Sequence, residues 1–159
     1  MKIIRIDSPL TQPLKIALMA DSSLRPHRRP LFLPQGEWMC EIRPAVRIDR
    51  LGKAIAARFA NRYYSECALV NYLRPESAGD PCAAFTDDAV VAGEWMPVED
   101  APAEAVPDSA LFASTLQQLS ANATFKTGDI IILPDVIKLY KPAINQEINI
   151  ENILEFRIK

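Results

Sequence analysis

Apolar residues in this chain fall mostly into short runs bounded by charged, Pro or Gly positions, the spacing of a strand-rich fold. "KIIRI" at 2–6 and "LKIALMA" at 14–20 read as strands, and "SSLRPHRRP" reads as a turn or hairpin loop leading to "LFLP". "MCEIRPAV" at 39–46 and "CALVNYL" at 67–73 predict two further strands, the second buried and ended by the loop "RPESAGDPC". "AVVAGEWMPVE" predicts a strand that frays at Pro97, and "EDAPAEAVP" predicts a surface loop too short to divide two domains. "KTGD" at 126–129 is a turn ahead of the apolar strand "IIIL", and "ILEFRI" closes the chain with strand alternation.

Two segments carry helical spacing. In "LGKAIAARFANRYY", Ile55, Phe59 and Tyr63 recur at i, i+4 and i+8 and predict a buried stripe, with Lys53, Arg58 and Arg62 outward. In "PDSALFASTLQQLSAN", Asp108 or Ser109 supplies an N-cap, and Leu111, Thr115 and Leu119 share a face. The pattern as a whole predicts an α+β, strand-dominated fold with one or two short helices, and a single domain over 1–159.

Composition narrows the function. The 159 residues are 49% hydrophobic, enough for one core. Eighteen Lys and Arg face twenty Asp and Glu, and the longest basic cluster is "RPHRR", so no concentrated positive face suits nucleic acid. Lys2, Arg5 and Asp7 interrupt any signal-type apolar region, and no window reaches the length of a membrane span; the expectation is a soluble, cytoplasmic protein. Cys40, Cys67 and Cys82 are odd in number and widely spaced, which predicts buried free thiols. His27 is the single histidine and lies in a Pro- and Arg-rich loop, which removes chemistry needing two imidazoles.

"CEIRPAVRIDRLGKAIAARFANRYY", "FKTGDIII" and the closing "ILEFRIK" together resemble the fumarylacetoacetate hydrolase family, in its short form that cleaves or decarboxylates acylpyruvates and related β-keto acids. "RLGK" with the "IAARFANRYY" segment is the most specific part. The resemblance implies a mixed β-sandwich or roll, a bound Mg²⁺ or similar cation, and homodimers.

The same resemblance implies a strand with two metal-binding carboxylates at i and i+2, which share a face because strand side chains alternate. In this chain the pair falls on Glu41 and Arg43, and the third carboxylate position matches Tyr72. The early His and Glu pair has no counterpart, the family's lysine matches Ala83, and its Thr-Gly-Thr-Pro turn becomes "LPDV". One glutamate offers too few oxygens for a hard divalent ion, and a guanidinium at position 43 repels it. Arg43 then either pairs with Glu41 and supplies the positive charge in fixed form, or points to solvent on a strand that changes phase near Pro44.

Two readings of function follow. In the first, the chain is a catalytically silent relative that expects no cofactor and keeps the fold to bind a ligand or to pair, as a homodimer or with a full-length relative. In the second, it is a metal-dependent hydrolase or decarboxylase of acylpyruvates or β-keto acids, using Mg²⁺ or Mn²⁺ at a relocated site drawn from Asp21, Glu41 and Asp87. No Ser or Cys has a nearby His, and no nucleophile elbow occurs. The shortened N-terminal region is expected to expose Leu31, Leu33 and Trp38 for a partner.

Overall fold

The computed structural model describes residues 1–77 and 79–159. Eleven strands are described: β1 Ile3–Ile6, β2 Ile16–Met19, β3 Leu24–Pro26, β4 Trp38–Ile48, β5 Tyr64–Pro75, β6 Val90–Ala92, β7 Met96–Pro97, β8 Ile130–Ile132, β9 Lys138–Tyr140, β10 Glu147–Ile150 and β11 Leu154–Arg157. One α-helix, α1, spans Ser109–Ser120. Nine strands form one curled mixed sheet in the order β2-β1-β8-β4-β5-β6-β3, with β7 added to β5 and β9 to β4; β10 and β11 pair separately.

The spine is the antiparallel pair β4 and β5. Its register runs from Trp38 opposite Pro75 through Glu41 opposite Tyr72 to Arg47 opposite Glu66, where a bulge begins. Cys40–Val46 is buried without interruption, as a central strand covered on both faces should be. One core cluster lies between sheet and α1, with Ile4, Ile6, Val46, Phe112, Leu116 and Phe125 in contact. A second gathers Ile42, Leu69, Tyr72, Leu154 and Phe156 around β10 and β11. Gly93 sits where backbones converge: a Cβ there would meet the Ile153 carbonyl oxygen at 2.4 Å and that of Leu69 at 2.8 Å.

Several expectations change in the structure. Residues 51–64 do not form an α-helix; only Ala57–Arg62 winds, as a 3₁₀ segment. The N–H groups of Ala54, Ile55 and Ala57 bond to the Ser120 carbonyl, the Ser120 hydroxyl and the Gln117 amide oxygen of α1, so Ile55 and Ala57 give to tertiary partners the donors that an α-helix from Leu51 would turn back four residues, and Ala54 has a non-helical φ of +50°. Ile55 is buried, whereas Phe59 and Tyr63 are only half-buried.

The helix α1 forms as expected, with the Asp108 side chain accepting from Leu111 N–H at 3.0 Å. Its buried face is Phe112, Thr115, Leu116 and Ser120, one position round from Leu111 and Leu119. "AVVAGEWMPVE" splits into β6 and β7: Gly93 N–H still bonds the Leu69 carbonyl of β5, but Glu94 N–H turns away to the Ile153 carbonyl. The loop after β2 contains a short 3₁₀ segment, Asp21–Ser23, and then β3, which pairs in parallel with β6. "LFLP" contributes only a single bridge from Leu31 to Ile158. Leu31 is fully buried and Leu33 and Trp38 pack half-buried on the core, so none of the three forms an exposed patch; the closing segment bonds along Leu31 and Leu33. The loop expected over "RPESAGDPC" includes Ala78, which lies outside the described residues.

Candidate functional site

On a β-ladder, residues directly opposite share a face, and so do positions two apart. The register of β4 and β5 therefore puts Glu41, Arg43, Tyr72 and Arg74 on one face. Arg5 of β1 joins them, since it pairs with Ile132, which in turn lies opposite Ala45. These side chains, with Asp7, form the floor of an open cleft of about 560 Å³, and Glu76, Ser77, Gly79, Asp80 and Ala83 lie around its mouth.

Glu41 is 6% exposed and Arg43 7%. Burial of charge is tolerated only when the charges are paired and their hydrogen-bonding capacity is met. Here Glu41 Oε2 accepts from Arg43 Nε at 2.8 Å and contacts Nη2 at 2.6 Å, while Oε1 accepts from Arg74 Nε at 2.7 Å. Arg43 Nη1 donates to the Ile6 carbonyl at 3.1 Å and lies 3.6 Å from Asp7 Oδ1. Arg43 thus faces inward, and the strand keeps its alternation through Pro44.

Arg5 grips Asp7 through Nε at 2.8 Å and Nη2 at 3.0 Å, and its Nη1 donates to the Tyr72 hydroxyl. Burial alone would lower the Arg5 pKa, but the bonds to Asp7 and the field of Tyr72 and Asp7 outweigh it and raise it. The Tyr72 ring lies under two guanidinium groups, Arg5 at 4.6 Å and Arg43 at 5.6 Å from its centre. Burial raises the Tyr72 pKa despite the opposing fields of Arg5 and Arg43, so the group stays a neutral phenol.

Of the residues singled out in the sequence, the fold brings Glu41, Arg43 and Tyr72 together. Asp21 and Asp87 are exposed and do not line this cleft. Among the described residues no three His, Cys, Asp or Glu side chains form a group able to hold a metal ion. The cation implied by the family resemblance does not fit what is present: both Glu41 oxygens already accept from guanidinium groups, Arg43 fills the neighbouring ligand position, and Tyr72 offers a protonated phenol. Arg5, Asp7 and Arg74 were not singled out in the sequence. For Arg74 the signal was its i+2 spacing from Tyr72 on one strand; Arg5 and Asp7 reach the cleft only through the β1–β8–β4 order, which no local pattern reveals.

Other chemistry-bearing residues lie elsewhere. Cys40 is buried with Asn71 Nδ2 at 3.4 Å from its sulfur, and burial raises its pKa; Cys67 is also buried, but Cys82 is exposed, against the expectation, because it lies on the surface 3₁₀ segment Pro81–Phe85; all three are free thiols. His27 Nδ1 accepts from Glu155 N–H at 3.3 Å.

The curled mixed sheet with a single principal helix defines the class, and comparison with solved structures agrees. No protein-family profile and no curated protein sequence matches the chain. It is similar to 2-hydroxyhepta-2,4-diene-1,7-dioate isomerase from Mycobacterium marinum, with TM-score 0.80 and 19% identity over 99% of this chain and 73% of that one. It is also similar to a fumarylacetoacetate hydrolase family protein from Yersinia pestis, with TM-score 0.77 and 16% identity over 99% and 92%. A fumarylpyruvate hydrolase from Pseudomonas aeruginosa, solved with Mn²⁺ and pyruvate, gives TM-score 0.75 and 12% identity over 99% and 89%. At these identities the likeness is one of fold: the chain has the fumarylacetoacetate hydrolase-like fold. No helix among the described residues is long and apolar enough to cross a membrane.

Proposed function

We propose that this chain is a catalytically silent, metal-free relative of the enzymes sharing its fold, one that keeps the scaffold for binding. The observation that carries this reading is the ion-pair cluster Glu41–Arg43–Arg74, buried where the resemblance places metal-binding carboxylates. The solved fumarylpyruvate hydrolase carries Mn²⁺ with pyruvate. Here a fixed guanidinium occupies that electrostatic role, and a guanidinium has no open coordination position from which to activate water. The test is an assay on acylpyruvates and oxaloacetate, with and without Mg²⁺ or Mn²⁺. No turnover above background is expected, and metal-dependent turnover that disappears in Glu41→Ala would overturn the reading.

The retained scaffold also suits pairing, as a homodimer or with a full-length relative. Strand β2 is an edge of the main sheet, and its Ile16 and Leu18, two apart and on one face, are 52% and 62% exposed. Phe85, on the 3₁₀ segment Pro81–Phe85 beside β2, is 75% exposed. An apolar edge of this kind tends to be covered, most simply across a two-fold axis. Sedimentation velocity at micromolar concentration is expected to give a dimer, with a buried area on the order of 1,600 Å² or more. A monomer that persists as concentration rises would exclude homodimer pairing.

A further inference from the structure

Charge in this chain is segregated. Between residues 75 and 125 there is no Lys or Arg, while the segments 50–65 and 109–128 together hold five cations, Arg50, Lys53, Arg58, Arg62 and Lys126, and no carboxylate. The fold joins those two segments: Gly52 bridges Phe125, and the N–H groups of Ala54, Ile55 and Ala57 bond to Ser120 and Gln117 of α1. All five cations are exposed, and among the described residues none takes part in an ion pair. Of the carboxylates at the rim, Asp129 is taken up by Lys2 and Glu66 by Arg47, which leaves Asp49, bonded to the Ser65 hydroxyl at 2.6 Å, against the five. Arg58 and Arg62 each stack on the Phe59 ring, 4.7 Å from its centre, so two of the charges are held in place before any partner arrives. No contiguous run in the sequence announces this face, because two separate segments build it.

Residues 94–108 have the reverse character. Glu94, Glu99, Asp100 and Glu104 are exposed and have no ion-pair partner among the described residues, and Asp108 caps α1. Arg47, which stacks on the Trp95 ring at 4.8 Å, is paired with Glu66. Turns fix the backbone here: the Pro97 carbonyl accepts from Asp100 N–H at 3.0 Å and the Pro102 carbonyl from Ala105 N–H at 2.9 Å.

The sheet lies between the two faces. Ile131 of β8 belongs to the core cluster under α1, with Ala60 and Phe125, whereas Ile130 and Ile132 belong to the other, with Trp95 and Ala105; alternate strand residues face opposite sides, so the basic segments sit on one side and the acidic segment on the other. Among the described residues no ion pair joins them within one copy, yet each face matches the other in a second copy. Two different surfaces that match make a heterologous contact, unlike the self-matching contact of a two-fold dimer.

We infer that copies of this chain associate head to tail, the exposed carboxylates of residues 94–104 on one copy docking on the cations of residues 50–62 and Lys126 of the next. The contact depends neither on the metal-free reading nor on the apolar edge at β2. Exposed charge pairs are individually weak and screened by salt, so it forms at low ionic strength and rising protein concentration.

Sedimentation velocity over a concentration series is run in about 20 mM and about 300 mM salt, on either side of the ionic strength at which the screening length is roughly 10 Å. An average mass that climbs with concentration in low salt and falls back in high salt is expected; apolar pairing at β2 lacks that response. Arg58→Glu with Arg62→Glu, and separately Glu99→Lys with Glu104→Lys, should each weaken the low-salt association about tenfold or more, since like charges then face each other. An equimolar mixture of the two variants should restore it, because the first keeps its carboxylates and the second its cations. Absence of salt-reversible association in the wild type would overturn the inference. So would either variant associating as tightly as wild type, or a mixture whose members stay apart while circular dichroism shows both folded. Salt-reversible binding of the wild type to single-stranded RNA or to anionic phospholipid vesicles, without self-association, would assign the basic face to another partner and overturn it as well.

Discussion

Two buried carboxylates in this protein are stabilised in opposite ways. Asp129, in the "KTGD" turn, is held mainly by the backbone: its oxygens accept from Lys2 N–H at 2.7 Å and Lys126 N–H at 2.8 Å, with the Lys2 ammonium 2.9 Å away. Gly128 supplies the left-handed φ of +94° that the turn requires. That arrangement ties the start of β1 to the start of β8, which lie side by side in parallel. Glu41 is held only by side chains, Arg43 from its own strand and Arg74 from the next. Asp129 is part of the scaffold and cannot be replaced by apolar residues, because backbone donors remain when the carboxylate goes. The Glu41 cluster can in principle be replaced whole by apolar side chains, and what it builds is the lining of the cleft.

The largest effect is expected from Glu41→Ala, which leaves Arg43 buried without its partner; denaturant unfolding should show a loss of about 3–5 kcal/mol. The double change Glu41→Met with Arg43→Met should recover most of that loss, since an apolar pair of similar volume removes both desolvation penalties. Failure to recover would mean that the cluster is as much scaffold as Asp129.

Asp129→Asn comes next, at about 2 kcal/mol, from weakened bonds to two N–H donors and a lost ion pair. Adding Lys2→Met should not restore stability there, and restoration would erase the contrast between the two sites.

Acid sensitivity sharpens the comparison further. Burial pushes the Asp129 pKa up, but the Lys2 and Lys126 N–H groups and the Lys2 charge outweigh it, so the folded value lies below the usual carboxylate value of about 3.9. A depressed folded pKa contributes stability above the unfolded value and loses it as pH falls through the folded one. Thermal unfolding between pH 5 and 2 should therefore fall less steeply in Asp129→Asn than in wild type, and parallel slopes would contradict this assignment. The smallest effect is expected from Arg74→Gln, below about 1 kcal/mol in the same denaturant experiment, because its side chain is 29% exposed and Glu41 keeps Arg43.

The long strands were legible because β4 and β5 are continuous β-type runs, and i and i+2 alternation puts Glu41 and Arg43 on one face, although the sequence left open whether Arg43 pairs there or points to solvent. The segment 51–64 was misread because its helical spacing is genuine while its N–H groups bond to Ser120 and Gln117, residues over 55 positions away. Strands β9 and β10 had no signal: "KLY" and "EINI" are three and four residues long, too short for a period to register. Within the cleft, Glu41, Arg43 and Tyr72 could be read from β4 and β5 alone. Arg5 and Asp7 could not, since a crossover through β8 delivers them.

If a fixed guanidinium stands where a metal would, the site has no place for a divalent ion. Equilibrium dialysis against Mn²⁺, with metal content measured per chain in wild type and Glu41→Ala, tests it most directly. No stoichiometric Mn²⁺ is expected in either protein. One equivalent of Mn²⁺ per wild-type chain that is lost in Glu41→Ala would contradict it.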